Sequence, residues 1–191
     1  MTVLAILATG CNKGKKFTIT GDLKSAGMAP YADTLLLMSE AFDNPVKIPV
    51  QSKQFTCSNR VTKPTYARLM VLGQENKYST TLILEEGAIT FQDGNACGTP
   101  LNDAATQFLG QIREIVRTNK EDKETCGKLL EDAFFSFVAQ HNNDPCAIFA
   151  ILRSYTAMPH ATVIRLIESA SPDVQNNGSV RSLKTKMLEK Q

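Results

Sequence analysis

Net charge, long apolar runs and histidine are all scarce in this chain, and tryptophan is absent. Lys and Arg number 21 against 19 Asp and Glu, a net charge of +2. The basic field behind most nucleic-acid binding is therefore missing, and no nucleic-acid partner is expected. No apolar stretch reaches the roughly 18 residues that cross a bilayer, which excludes a transmembrane helix. The two histidines, His141 and His160, have no carboxylate or cysteine at ligand spacing. Asp144 follows His141 by three, but Asn142-Asn143-Asp144-Pro145 reads as a polar loop between helices. Neither a Gly-x-Ser-x-Gly elbow nor a His-Glu-x-x-His helix occurs. Glu85-Glu86 read as a solvated pair at a turn tip. No catalytic residue, metal or cofactor is nominated.

What is present is 191 residues, 42% of them hydrophobic, enough for a real core in a globular body. The first eleven residues carry the most specific local signal. Thr2 to Ala8 is an uninterrupted run of mainly apolar side chains that ends in Thr9-Gly10-Cys11, and Asn12-Lys13-Gly14-Lys15-Lys16 follows. Leu7-Ala8-Thr9-Gly10-Cys11 resembles a bacterial lipobox, in which the cysteine thiol is lipidated before the peptide bond ahead of it is cut. A cationic segment before the apolar run is missing. The expected organisation is a lipoprotein signal peptide at 1–10, lipidation at Cys11, a tether at 11–16, a β domain at 17–98 and a helical region at 99–191.

The two main regions differ in hydrophobic period. From Phe17 to Gly98, short segments rich in Thr, Val, Ile and Phe are broken by Gly, Pro, Asn and Asp, the pattern of antiparallel strands. Seven strands are expected, at Lys16–Leu23, Asp33–Glu40, Val46–Val50, Gln54–Ser58, Thr65–Leu72, Thr80–Glu85 and Ala88–Gln92. They would form an antiparallel β-sandwich or open barrel. After Pro100 the spacing is helical, with Ala105, Phe108, Leu109, Ile112, Ile115 and Val116 on one face. About five α-helices are expected, the one around Ile148 to Leu152 apolar nearly all round and hence central. The fold class is α+β.

Where the period changes stands Gly98-Thr99-Pro100-Leu101-Asn102-Asp103. It reads as a Gly exit from the sheet, a Thr99 cap and Pro100 in the first helical turn, with Asn102 or Asp103 as alternative caps. Setting Cys11 aside, Cys57 and Cys97 lie in the strand half and Cys126 and Cys146 in the helical half. One disulfide within each half or four buried thiols both remain open. No pair has the Cys-x-x-Cys spacing of a redox or zinc motif.

The order of features resembles the bacterial envelope family called domain of unknown function 4369. The lipobox is followed by Phe17-Thr18-Ile19-Thr20-Gly21, then Thr34-Leu35-Leu36-Leu37, then Leu82 through Phe91, then the 98–103 motif. The helical stretch, with Asn143-Asp144-Pro145 and Ser171 to Asn177, continues the likeness. In that family this region commonly precedes a thioredoxin-like domain in membrane-anchored thiol-disulfide oxidoreductases. The resemblance implies a lipid-anchored envelope protein facing the periplasm, with a membrane and an envelope protein or small ligand as partners. Because the sequence stops at Gln191, where the thioredoxin-like domain would begin, the expectation is a non-catalytic binding or positioning module. The alternatives are an oxidoreductase without its catalytic domain and a hydrolase with a cleft between sheet and helices.

Overall fold

The structure, a computed structural model, describes residues 14–75 and 77–189. The expected signal peptide and the first half of the expected tether, Cys11 included, lie outside the described residues. Eight strands come first: β1 (Lys15–Asp22), β2 (Thr34–Ser39), β3 (Val46–Gln51), β4 (Gln54–Val61), β5 (Thr65–Val71), β6 (Ser79–Leu84), β7 (Gly87–Gln92) and β8 (Asn95–Cys97). Six helices follow: α1 (Pro100–Thr118), α2 (Lys123–Gln140), α3 (Pro145–Ser154), α4 (His160–Ser169), α5 (Pro172–Gln175) and α6 (Gly178–Leu188). The α+β class holds, with the last strand ending at Cys97 and the first helix beginning at Pro100. Because β1 starts at Lys15, the first strand takes up the last two residues of the expected tether.

The strands form one sheet in the order β6-β5-β2-β3-β4-β1-β7-β8. Its two edges meet, with the Thr80 hydroxyl of β6 donating to the Gly94 carbonyl beside β8 at 2.7 Å. Of the two expected architectures, sandwich and open barrel, the sheet is the second: a nearly closed barrel. All pairings are antiparallel except β1 with β7, which is parallel. The eighth strand was not expected. It exists because Asp93 and Gly94 both take positive φ, 50° and 78°, closing a two-residue hairpin of the type whose twist matches the flanking strands. Ser52 and Lys53 do the same between β3 and β4.

Alternation places Phe17, Ile19, Leu35, Leu37, Ile48, Leu69, Leu82, Leu84 and Ile89 inside the barrel. Thr18 and Thr20 of β1 stand outward. On β5 and β6 both faces are buried, since Tyr66 and Ile83 point out of the barrel toward α1 and α3. The helices pack on this side around Phe108, Phe134, Phe149, Val163, Leu166 and Val180. Each large side chain so buried contributes about 1.5–3 kcal/mol. Helix α3 is central, with seven of its ten residues buried. Five helices match the expected stripes. The sixth, α5, is a single turn where only a chain reversal was expected; the Ser171 hydroxyl accepts from the Val174 N–H at its start.

Candidate functional site

Three buried polar residues, Glu85, Thr99 and Asn102, meet at the sheet–helix junction. Gly98 leaves the barrel at φ +92°, where an added Cβ would lie 2.8 Å from the Ala88 carbonyl oxygen. Thr99 then adopts extended geometry as the N-cap of α1, with Pro100 in the first turn. The expected cap position is right, but the capping atom is not on Thr99. The Glu85 carboxylate, arriving from the end of β6, accepts from the Leu101 N–H at 2.8 Å and the Asn102 N–H at 3.2 Å. Glu85 is only 8% exposed. This corrects the reading of Glu85-Glu86 as a solvated pair: Glu86 alone is exposed, paired with Lys15 at 3.3 Å.

Asn102 completes the lock. At 1% exposure its side chain donates to the Ile83 carbonyl at 2.8 Å and accepts from the Ile83 N–H at 2.9 Å. It also donates to the Thr99 hydroxyl at 2.8 Å. Asp103 accepts from the Gly98 N–H at 2.8 Å. The 98–103 motif is therefore a joint between barrel and helices. The anion at the N-terminus of α1 is the chain's own carboxylate.

Beside this joint the α2–α3 loop brings three further groups together. His141 closes α2 and Asp144 opens α3, with Asp144 Oδ1 accepting from the Cys146 N–H at 2.8 Å and Asp144 Oδ2 meeting His141 Nδ1 at 2.8 Å. The His141 ring also packs on Phe137 at 4.4 Å between centroids. The Cys146 thiol donates to the Leu101 carbonyl at 3.4 Å. Burial pushes its pKa up, and the negative charges of Asp144 and Glu85 push it further. A nucleophilic or redox cysteine needs the opposite environment. Sequence reasoning missed the His141–Asp144 pair; the signal was the separation of three, read as loop filler.

The other thiols carry no such constellation. Cys57 is half-buried on β4, its pKa raised by burial. Cys97 ends β8 with its sulfur 3.3 Å from the Thr90 hydroxyl, and Cys126 lies in the first turn of α2. All four stand as free thiols, so neither disulfide left open by the spacing is formed.

A cleft of about 560 Å³ opens between barrel and helices, lined by Glu40, Lys63 and Tyr66 on one side and Asn142, Asp144 and Asn177 on the other. A smaller hollow of about 270 Å³ shares Glu40, Tyr66 and Asn177 with it. Glu40 spans the junction, accepting from the Asn177 side chain at 2.8 Å and the Gly178 N–H at 2.7 Å. Another concavity, about 650 Å³, lies on strands the helices leave bare and is rimmed by Thr20, Thr56, Thr90 and Gln54.

Fold and site together define an α+β protein whose barrel and helices are locked by buried hydrogen bonds beside a polar cleft. Comparisons with family models, with curated proteins and with solved structures each find no match to this chain. Among the described residues no helix is long and apolar enough to cross a membrane.

Proposed function

We propose that the chain is an envelope lipoprotein, held to a bilayer by lipid on Cys11 and facing the periplasm, whose body is a non-catalytic module that binds a small polar ligand or positions an envelope partner. The observation that carries the binding role is the junction cleft, because barrel and helices both supply its walls. Pockets at such boundaries are where ligands are most often held. Its lining includes the amides of Asn142 and Asn177 together with the charged Glu40, Lys63 and Asp144, side chains suited to orienting hydroxyl and amide groups. The non-catalytic half of the reading is supported by the thiols, since the one buried beside a histidine is held protonated. It is supported too by the nearby carboxylates, because Glu40, Glu85 and Asp144 all serve as hydrogen-bond anchors for backbone groups. The resemblance to the envelope family supplies the anchor and the compartment.

Amide NMR on the full chain, with short saccharides and peptides as probes, tests the cleft. Shifts should cluster at Lys63, Tyr66, Asn142 and Asn177 and vanish in Asn143→Arg, which projects a bulky side chain from an exposed cleft position. An insulin-reduction assay on the same material should be blank. Reductase activity, or an unresponsive cleft, overturns the module reading.

A further inference from the structure

His141, Asp144 and Cys146 offer one imidazole nitrogen, one carboxylate oxygen and one sulfur, and these atoms lie within 4.8 Å of one another. They sit on a six-residue segment whose backbone is fixed at both ends: His141 closes α2, Asp144 caps α3, and the Asp144 N–H donates back to the His141 carbonyl at 3.0 Å. We propose that this His-x-x-Asp-x-Cys segment is a binding site for a divalent cation of borderline softness, of the zinc(II) class.

The donor set decides the class of ion. Imidazole with a thiolate, which forms only as the cation displaces the proton that Cys146 otherwise holds and releases it to solvent, favours zinc over the hard cations, which take oxygen ligands almost alone. Zinc bonds of about 2.0–2.3 Å put neighbouring tetrahedral donors about 3–4 Å apart. The His141–Asp144 contact at 2.8 Å has to widen slightly, and the widest separation has to close by about an ångström shared between two side chains. Asp144 can ligate through Oδ2 while Oδ1 keeps its bond to the Cys146 N–H, so the helix cap survives. The surroundings are negative, with Glu85 facing the same thiol. A bound cation would neutralise a charge cluster that the fold otherwise holds together without one. Since Asp144 also lines the junction cleft, a fourth ligand, water or a bound molecule, would be reached from that side.

Cobalt(II) is the probe, because thiolate ligation gives it a near-ultraviolet charge-transfer band and tetrahedral ligation gives it intense visible absorption. The full chain should bind it saturably with both signatures, and zinc(II) should displace it. The charge-transfer band should be lost in Cys146→Ala, and the affinity should fall at least about tenfold in His141→Ala. If Cys146→Ala does not fold, Asp144→Asn, which retains a capping side chain, should weaken binding by a comparable factor. Absence of the band in the unaltered chain overturns the proposal. So does a band that persists in Cys146→Ala, which would assign the cobalt to Cys11, Cys57, Cys97 or Cys126. Neither result depends on whether the cleft takes a ligand.

Discussion

The carboxylate of Glu85 and the backbone N–H of Asn102 are hydrogen-bonded at 3.2 Å, while the Asn102 side chain closes the return path onto Ile83. A strand end caps a helix and the helix caps the strand end. The bond to the barrel runs both ways, so helix α1 cannot rotate or slide on β6 without breaking several buried polar contacts at once.

Asn102→Ala should therefore be among the most destabilising single changes in the chain. It leaves the Ile83 N–H and C=O buried without partners, and each orphan costs about 1–3 kcal/mol. Urea unfolding should show a loss of about 2–5 kcal/mol. Glu85→Gln keeps an acceptor but removes the charge at the helix N-terminus, and should lose about 1 kcal/mol. The double variant should lose less than the sum, since both residues serve one network. Full additivity would mean that the two residues act separately.

Much of this is legible in the sequence. Helical spacing from Ala105 to Ile115, the alternation around Phe17 and Ile19, and the Pro100 and Pro145 starts are local signals, and each matches an observed element. Asp93-Gly94 was equally local; β8 was missed because the three residues after the turn are too few to show a period. Glu85 and His141 were misread for a different reason. A charged residue next to a turn looks solvated unless its partner is visible, and the partner of Glu85 is a helix start sixteen residues on. The closing of the barrel through Thr80 and Gly94, and the cleft walls that draw on residues from Glu40 to Asn177, are likewise products of tertiary contact.

Alkaline pH should destabilise the fold in two stages. Burial raises the Tyr66 phenol from the ordinary 10.0 to about 12 and raises the Cys146 thiol above its ordinary 9.0. For both groups the folded state holds the proton more tightly than the unfolded chain. Their contribution is complete below about pH 9 and is lost as the pH climbs through the folded values. Unfolding midpoints should hold up to about pH 9 and then fall, the Tyr66 part alone amounting to about 2–3 kcal/mol by pH 12. Tyr66→Phe should flatten the curve above pH 10 and leave the earlier, thiol-dependent fall in place. A curve unchanged by either Tyr66→Phe or Cys146→Ala would refute the assignment.

Glu40 should control how firmly the last helix is held. Its two oxygens accept from Asn177 and from the Gly178 N–H, and a Cβ at residue 178 would lie 2.8 Å from one of them. Glu40→Ala removes both bonds at a largely exposed site and should cost about 1 kcal/mol. Gly178→Ala should have a similar effect by pushing the carboxylate away. In hydrogen exchange the amides of Gly178 and Ser179 should lose protection in both variants while those of α1 stay unchanged. Loss of protection spread over the whole molecule would show that Glu40 supports the fold at large and not the α6 attachment.

Cys11→Ser should release the protein from the membrane fraction. The proposed anchor rests on the Gly10-Cys11 junction after an apolar run, and lipid on that cysteine is the feature that would tie the chain to a bilayer. Each buried methylene of an acyl chain contributes about 0.8 kcal/mol, so one chain binds marginally whereas two or more hold stably. Serine keeps the size and polarity of the side chain but cannot form the thioether. In a bacterial host the unaltered chain should sediment with membranes and partition into detergent, and Cys11→Ser should remain in the supernatant with its folded body intact by circular dichroism. Retention of Cys11→Ser in the membrane fraction after a high-salt wash would remove the lipid anchor from the proposal and with it the reason for placing the protein in the envelope.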